Sequence, residues 1–426
     1  MKTFDTAKDN IKDILAALSP ASGQASDSVR QTVADIIEKV KTEGDKALLE
    51  LGRKFDSPDL DAIEVTTEEL KEAYALVSDD LLNAIRVSKT NIERFHKKQL
   101  RNTWIDMQEG FIYGQLVRPL EIVGIYAPAA KAPLPSTVIM TAVPAKVAGV
   151  ETVVLCVPAR EGGKVIPAML VAAHECGVDR VFKVGGAQAA AAMAFGTETV
   201  PAVNKIVGPG NIFYTEAKRQ VYGFVGIDQL AGPSEILVIA DETANPAYAA
   251  ADFLSQAEHA PDSRCVLVTT SEKILAEVLA ETEKQAAAAE RKECVEPSLR
   301  DYAVAIAAHS IDECVNLANA FAPEHLEICT ADPWSVVKKI KNAGTIMLGH
   351  YTPVPLCDFA AGPNHTLPTA GTAKFSSPLS VDDFVKKSGL LSYTKEALKE
   401  ISPVVYEFAE AEGLPAHGNT VKIRVD

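Results

Sequence analysis

Cysteine pairs and long apolar runs are both scarce in this chain. Its seven cysteines are odd in number and scattered over 426 residues without a Cys-x-x-Cys pair, which argues against a disulfide framework and a structural zinc knuckle. Three of them, Cys156, Cys265 and Cys329, lie in strand-like apolar runs and are expected to be buried as small hydrophobes. No run reaches the roughly 18 apolar residues of a membrane span. Residues 1–5 begin no apolar signal segment, so we expect a cytoplasmic protein.

A basic surface is also lacking. The net charge is −15 and the pI is about 5.1, whereas nucleic-acid binders usually carry a basic domain or stripe. The densest basic cluster, Arg94 to Arg101, lies on a helical pattern without an aromatic platform. Such charge runs usually form a solvated helix face. We therefore expect a small-molecule substrate rather than a nucleic acid or a membrane.

The sequence contains none of the short signatures that identify common nucleotide sites and serine hydrolases. It has no G-x-G-x-x-G fingerprint, no Walker lysine motif and no G-x-S-x-G elbow. Two glycine-rich segments, 184–188 and 207–211, lie between strand and helix patterns. Their backbone N–H groups and helix N-termini suit a phosphate or nucleotide. They suit tight packing equally well, so these residues alone leave the cofactor undecided.

The pattern of the chain predicts an α/β protein with two doubly wound, incomplete Rossmann-like domains. A chain of 426 residues is too long for one ordinary core. The first hundred residues read as helices, and two series of alternating strands and helices start at Glu121 and Glu235, which indicates parallel sheets. The expected strands are 122–126, 152–157, 180–184, 205–207, 236–240, 265–269, 302–306, 326–329 and 345–348. Residues 349–380 read as a functional loop, and 421–425 as a possible edge strand after helix.

Among the eight histidines, two have neighbours suited to metal binding or proton transfer. Gln256 and His259 share one helix face and could form half of a metal site, although a capped helix end with a surface histidine fits as well. Glu324 and His325 are adjacent, and such a pair suits proton transfer because histidine titrates near neutrality. A chance dipeptide is an equally good interpretation of these two residues.

Two further histidines have acidic neighbours along the chain. Asp358 and His365 lie in a Gly- and Pro-containing loop, where both are credible ligands or substrate contacts. Glu412 and His417 lie near the C-terminus, where a frayed tail is the alternative because termini are often poorly ordered.

Taken in order, these segments resemble the histidinol dehydrogenase family from about Val33 to the C-terminus. The segments that carry the resemblance are 185–188 (GGAQ), 195–196 (FG), 207–211 (VGPGN), 231–237 (AGPSEIL), 256–259 (QAEH), 323–326 (PEHL), 362–369 (GPNHTLPT), 379–384 (LSVDDF) and 412–414 (EGL) with His417. Any one of them is weak, whereas the whole ordered set is specific.

The resemblance implies roles for individual residues. The implied zinc ligands are Gln256, His259, Asp358 and His417, an oxygen and nitrogen set that suits zinc. Glu324 and His325 match the acid/base pair. The implied substrate contacts are these four ligands together with Ser234, His325, His365 and Glu412. The implied NAD contacts are Tyr126, Gln188 and Asn211.

The resemblance also implies the reaction and the assembly. Family members oxidise L-histidinol through L-histidinal to L-histidine with two NAD, the final steps of histidine biosynthesis. The implied division is an N-terminal helical segment (1–27), a first Rossmann-like domain (28–122 with 235–380), a second one holding NAD (123–234), and a C-terminal dimerisation segment (381–426). In the homodimer the C-terminal segment reaches the partner's site.

One departure from the family concerns the loop after the first strand of the second domain. Ala129 and Ala130 stand where the family usually has two glycines, and alanine is costly if either position needs positive φ or a close cofactor approach. Three alternatives stay open from the residues: a related dehydrogenase of another small alcohol, a zinc hydrolase using Glu324, and a non-catalytic nucleotide-binding protein.

Overall fold

The computed structural model describes residues 1–19, 25–129 and 133–426. The strands are β1 (Lys2–Asp5), β2 (Trp104–Gln108), β3 (Phe111–Pro119), β4 (Ile122–Tyr126), β5 (Thr152–Cys156), β6 (Arg180–Phe182), β7 (Lys205–Val207), β8 (Gly226–Ile227), β9 (Glu235–Ala240), β10 (Arg264–Thr269), β11 (Val304–Ala307), β12 (His325–Cys329), β13 (Thr345–Leu348) and β14 (Val385–Tyr393).

The helices connect these strands and extend beyond them at the C-terminus. They are α1 (Ile11–Leu18), α2 (Asp27–Glu43), α3 (Asp45–Phe55), α4 (Thr67–Leu76), α5 (Asp79–His96), α6 (Pro135–Ala148), α7 (Pro167–Glu175), α8 (Gly186–Phe195), α9 (Ile212–Val221), α10 (Pro246–Ala257), α11 (Glu272–Ala287), α12 (Lys292–Pro297), α13 (Ile311–Phe321), α14 (Pro333–Val337), α15 (Val354–Phe359), α16 (Lys395–Ala411) and α17 (Pro415–Val425). None of the helices in the described ranges combines the length and hydropathy that crossing a membrane requires.

A parallel sheet of six strands in the order β1-β11-β10-β9-β12-β13 forms one module. Its central strands β9 and β10 are buried along their whole length, as expected for parallel strands covered on both faces. Apolar residues of α1 and α13 pack on one face, and those of α10 and α11 pack on the other. The edge strand β1 lies within residues 1–27, which the sequence analysis expected to be only helical. A four-residue strand at a sheet edge is too short to show a period of its own.

A parallel sheet of five strands in the order β6-β5-β4-β7-β8 forms the second module. The chain runs from β4 outward to β6 and then returns to the other side of β4, so the strand order reverses between β4 and β7. In open α/β sheets, ligands bind outside the carboxyl ends of the strands at such a reversal. The α/β class with parallel sheets is thus as predicted from the sequence.

The helices α2 to α5 pack on the five-stranded sheet. Apolar residues of α2 and α3 share a core with β5, α8 and α9, and those of α4 and α5 share one with β4, α6 and α7. The division predicted from the sequence instead placed residues 28–122 with residues 235–380. The domain limits remain a prediction, but this packing favours grouping α2 to α5 with residues 123–234.

A third, antiparallel sheet joins distant parts of the chain. Strand β14 pairs with β3 along nine residues, and β3 pairs with β2. Helices α16 and α17 follow this sheet. The prediction of an edge strand at 421–425 was wrong, because these residues form the end of α17. Pro415 at the first turn suits a helix start, and so short an alternation cannot distinguish strand from helix.

Candidate active site

The acid/base pair predicted from the sequence lies at the amino end of β12, beside β9. Glu324 Oε2 accepts a hydrogen bond of 2.8 Å from the backbone N–H of Glu235. His325 Nδ1 lies 3.1 Å from the carbonyl oxygen of the same residue. One backbone unit at the start of β9 therefore holds both side chains, and both are buried.

Burial and mutual charge determine the protonation of this pair. Burial raises the pKa of Glu324 to about 8, although the His325 ring lowers it. Burial lowers the pKa of His325, but the carboxylates of Glu324 and Asp358 outweigh it and raise the pKa to about 9. Two groups that exchange protons near neutral pH suit general acid/base chemistry.

The loop expected to be functional brings Asp358 and His365 to this pair. Asp358 lies in α15, and its Oδ1 is 3.4 Å from His325 Nε2. Burial raises the pKa of Asp358, but the His325, His365 and His259 rings outweigh it and lower the pKa below its usual value. His365 Nδ1 lies 3.0 Å from the carbonyl oxygen of Asp358, and its Nε2 lies 3.3 Å from Thr137 Oγ1. Because Thr137 belongs to α6, this site forms where the two modules meet.

Gln256 and His259 reach the same site from the end of α10. Gln256 is buried, and both its side-chain oxygen and nitrogen lack a hydrogen-bond partner among the described residues. His259 lies at the exposed rim, and the surrounding protein lowers its pKa by desolvation while the Asp358 carboxylate opposes this. The buried Nε2 of His325 makes no hydrogen bond of good geometry, although Asp358 Oδ1 lies 3.4 Å from it. Buried polar atoms without partners are rare, so these point to a group that binds between them.

The donors present in one chain fit part of a zinc shell. They are one amide, one imidazole and one carboxylate, from Gln256, His259 and Asp358, which are acceptable zinc ligands. No three His, Cys, Asp or Glu side chains are grouped to hold a metal ion within residues 1–19, 25–129 and 133–426. A zinc site can still exist without such a group of three. Its shell would include the amide of Gln256 and one ligand from another chain.

The other implied substrate residues are placed differently. Ser234 directly precedes β9 and is half-buried. Glu412 and His417 are exposed, at the end of α16 and in α17. No hydrogen bond or ion pair joins either of these two side chains to the rest of the described chain. A single chain therefore leaves them apart from the Glu324 and His325 pair.

The residues implied for NAD surround the carboxyl ends of β4 and β7. Tyr126 ends β4, stacks on Tyr214 with ring centroids 3.9 Å apart, and accepts a 3.1 Å hydrogen bond from the Gly186 N–H. Gln188 is buried in the first turn of α8. Asn211 caps α9 by accepting hydrogen bonds from Phe213 and Tyr214. These positions are at the reversal of strand order, where a nucleotide is expected.

A glycine allows the turn after β7 to lie close to the end of β4. Gly208 has φ of +112°, and a Cβ there would lie 2.2 Å from the carbonyl oxygen of Tyr126. At the neighbouring loop, Ala129 is buried and is not among the described non-glycine residues with positive φ, which are Ala322 and Ala370. Ala129 thus shows no strain of the kind considered from the sequence, whereas Ala130 lies outside the described residues.

Three residues of the site escaped the sequence analysis as individual candidates. The backbone of Glu235 holds the Glu324 and His325 side chains, and a charged residue at the start of an apolar strand was a usable signal for it. Thr137 contacts His365. Asp56 accepts hydrogen bonds from Gly185 N–H and, at 3.5 Å, from Gln188 Nε2, and burial raises its pKa to about 6. Neither Thr137 nor Asp56 has a local sequence pattern that distinguishes it.

Comparisons with known proteins identify the family of the chain. The family model of histidinol dehydrogenase matches residues 20–425. The histidinol dehydrogenase of Clostridium acetobutylicum is 51% identical over 409 residues, covering 96% of this chain and 95% of that protein. That of Caldanaerobacter subterraneus is 48% identical over 426 residues, covering 100% and 99%. The crystal structure of histidinol dehydrogenase from Elizabethkingia anophelis superposes with a TM-score of 0.95 at 41% identity, covering 100% of this chain and 98% of that one. The chain therefore belongs to the histidinol dehydrogenase family of oxidoreductases.

Proposed function

We propose that this protein oxidises L-histidinol to L-histidine through the aldehyde, with two NAD and one zinc ion per chain, as the last steps of histidine biosynthesis. The observation that carries the proposal is the buried cluster in which His325 Nε2 lies 3.4 Å from the Asp358 carboxylate, with His259 close enough to both to shift its pKa and with unpartnered polar atoms on the buried side chain of Gln256. Family membership supports the reaction, and the donor types support the metal.

Gln256, His259 and Asp358 would hold zinc together with His417 of the partner subunit. Zinc bound there would hold the amine and imidazole of the substrate and so orient its alcohol carbon. Ser234, His365 and Glu412 are proposed to contact the substrate around this centre. His365 lies beside this centre, since its Nδ1 is 3.0 Å from the carbonyl oxygen of Asp358 and its Nε2 is 3.3 Å from Thr137 Oγ1.

His325 is the proposed base for the substrate hydroxyl. When Nδ1–H donates to the carbonyl oxygen of Glu235, the lone pair of the neutral ring lies on Nε2, the atom that faces the Asp358 carboxylate at 3.4 Å. Asp358 is one cause of the raised pKa of His325, and this contribution falls when its carboxylate binds a cation. Nε2 of the neutral ring would take the hydroxyl proton while the carbon that bears this hydroxyl transfers hydride to NAD.

Glu324 is the proposed base for the second step. An aldehyde must add water before it can release a second hydride, and a carboxylate can take the proton that this water loses. Burial raises the pKa of Glu324 to about 8, close to the pH at which a base both accepts and returns a proton efficiently. NAD held by Tyr126, Gln188 and Asn211 would supply the hydride acceptor in both steps.

The proposed assembly is a homodimer in the cytoplasm, without nucleic-acid or membrane partners. Large apolar side chains are exposed on the antiparallel sheet and the C-terminal helices, including Met107 (75%), Leu391 (69%), Phe408 (65%) and Ile423 (67%). Apolar surface of this kind marks an interaction site. A second copy covering it would also bring an exposed His417 to a site that lacks it.

The decisive experiment measures NADH formed from L-histidinol. We expect two NADH per histidinol, about one zinc per chain in purified protein, and loss of turnover after chelation with recovery on adding zinc. NADH formation from other small alcohols but not from histidinol would favour a related dehydrogenase. Zinc-dependent ester or amide hydrolysis without NADH would favour a hydrolase using Glu324. Full turnover by metal-free protein would contradict the zinc site.

A further inference from the structure

A buried ion pair lies behind the glycine-rich turn at 207–211, which on its sequence suits either a phosphate or tight packing. Lys218 in α9 bonds to Asp228, which directly follows β8. Only 2% of the Lys218 side chain and 3% of the Asp228 side chain are exposed. Lysine and aspartate are almost never buried so completely unless they are paired. Neither residue has a role among those implied for NAD, zinc or the substrate.

Both members of the pair also bond to the backbone of one glycine. The Gly208 N–H donates a 2.8 Å hydrogen bond to Asp228 Oδ2, and Lys218 Nζ donates one of 3.1 Å to the Gly208 carbonyl oxygen. Together with the bond between the two side chains, these bonds fix the peptide groups on both sides of Gly208. Since Asp228 occupies the Gly208 N–H, this donor of the turn serves packing rather than a phosphate.

The fixed glycine lies between two of the residues proposed to hold NAD. A Cβ at Gly208 would lie 2.2 Å from the Tyr126 carbonyl oxygen, so the turn contacts the end of β4. Asn211 follows three positions later and caps α9. Lys218 lies one turn after Tyr214 on the same face of α9, with Nζ 5.7 Å from the centroid of that ring. Tyr214 in turn stacks on Tyr126.

Stability alone does not account for this ion pair. Replacing a buried ion pair by apolar side chains of similar volume is often neutral or stabilising. Gly208, however, has a φ of +112°, and a glycine backbone can adopt many other conformations at little cost. Directional hydrogen bonds to its N–H and its carbonyl oxygen select one of them. The ion pair therefore determines the conformation of a turn that glycine would otherwise leave variable.

We propose that Lys218 and Asp228 are positioning residues that fix the turn at Gly208, and so place Asn211 and Tyr126 for binding NAD. The inference rests on the proposed function, because it takes Tyr126 and Asn211 as NAD contacts. It adds that loss of the ion pair weakens NAD binding while histidinol binding is kept.

The test compares two double substitutions in the full-length protein. Lys218→Met/Asp228→Leu removes both bonds to Gly208 without leaving an unpaired buried charge. Lys218→Met/Asp228→Asn differs in that the amide oxygen at position 228 can still accept from the Gly208 N–H. The matched control is Glu216→Leu/Arg219→Met, which removes an ion pair with a 2.7 Å hydrogen bond within α9. That ion pair joins two residues of one helix and holds no turn.

The main readout is the pair of KM values for NAD and for histidinol. Lys218→Met/Asp228→Leu should raise KM for NAD at least about tenfold, because two hydrogen bonds that fix the turn are lost. KM for histidinol should stay close to the wild-type value, since Glu324 and His325 belong to the other module. Lys218→Met/Asp228→Asn should raise KM for NAD less, and the control should change neither value.

Two kinetic results would overturn the positioning role. One is a wild-type KM for NAD in folded Lys218→Met/Asp228→Leu, and the other is an equal rise in both KM values. Should this variant not fold, Lys218→Met/Asp228→Asn decides, because it still lacks the bond from Lys218 to the Gly208 carbonyl oxygen. A wild-type KM for NAD in that variant would then overturn the role.

A readout without NAD separates this inference from the proposed function. Amide hydrogen exchange of residues 208–214 should be several-fold faster in Lys218→Met/Asp228→Leu than in the wild type or the control, because the Gly208 N–H loses its acceptor. Failure of the wild type to bind NADH in a fluorescence titration would contradict the proposed NAD site. Exchange at residues 208–214 would still decide whether the ion pair holds the turn, and unchanged exchange would overturn the inference.

Discussion

At the scale of single residues, Glu324 and His325 share one backbone anchor but should have separable roles. His325→Asn should slow both oxidations, since a base serves both, by about 10²–10⁴-fold. Glu324→Gln should slow chiefly the oxidation of the aldehyde, where water must lose a proton. Rates of NADH formation measured separately from histidinol and histidinal distinguish these effects.

His350→Asn is the matched control for this pair. His350 belongs to the same module, and its Nε2 lies 3.4 Å from Thr243 Oγ1, away from the proposed site. It should leave both rates close to those of the wild type. Equal and small effects of His325→Asn and Glu324→Gln on both substrates would refute the assignment.

Cys357 is the cysteine next to a proposed ligand, and it should not be a nucleophile. All seven cysteines are buried and unpaired, so the burial expected for Cys156, Cys265 and Cys329 is confirmed. Burial raises the pKa of the Cys357 thiol to about 12, whereas a reactive cysteine needs its thiolate. Cys357→Ala should keep most activity in steady-state assays of both steps. A loss as large as that of His325→Asn would show a covalent route.

At the scale of elements, the residues proposed for the site lie at opposite strand ends in the two parallel sheets. The proposed NAD residues follow the carboxyl ends of strands in the five-stranded sheet, as ligands usually do in such folds. The acid/base pair instead lies at the amino ends of β9 and β12 in the six-stranded sheet. This arrangement lets the amino end of one sheet face ligands held at the carboxyl end of the other.

The helix α9 provides a prediction about Asn211, which caps it. Asn211→Ala should lower the free energy of unfolding by about 1 kcal/mol, the usual cost of losing a cap, and should raise KM for NAD. Asn211→Ser keeps a capping oxygen and should preserve stability while still raising KM. Thermal unfolding and NAD titrations of both variants check this. A wild-type KM in Asn211→Ser would mean that Asn211 acts on NAD only through the helix.

At the scale of the whole molecule, the proposed site needs two chains. His325→Asn and His417→Asn chains should each be inactive, and they can be unfolded together and reassembled. If His417 acts across the interface, one site in each mixed dimer is intact. Random pairing makes half of the dimers mixed, so about a quarter of wild-type activity should return.

A second mixture is the control for this experiment. Mixed dimers of His325→Asn and Glu324→Gln chains have one defect in every site wherever His417 acts, and should recover nothing beyond the separate variants. No recovery in the first mixture, with mixed dimers shown to be present, would place the whole site within one chain.

Local patterns in the sequence were sufficient for the α/β class, whereas the residues proposed for the site came from the resemblance to a known family. The spacing of apolar residues in strand and helix segments reflects which side chains are buried over a few residues. This spacing therefore predicted the central strands of both parallel sheets. Pro323 marks the start of the segment with Glu324 and His325, and Pro261 marks the helix end that carries His259. The ordered segments then identified the family, because the whole set in its order is specific although each segment alone is weak.

Only the tertiary structure decided features that depend on distant partners. Strands β2, β3 and β14 form a sheet between residues 104–119 and 385–393, and their mostly exposed or half-buried side chains provide no clear hydrophobic alternation. The packing of α2 to α5 on the five-stranded sheet depends on which apolar faces meet, which period alone does not specify. Likewise the backbone of Glu235 holds the Glu324 and His325 side chains only because folding places β9 beside β12.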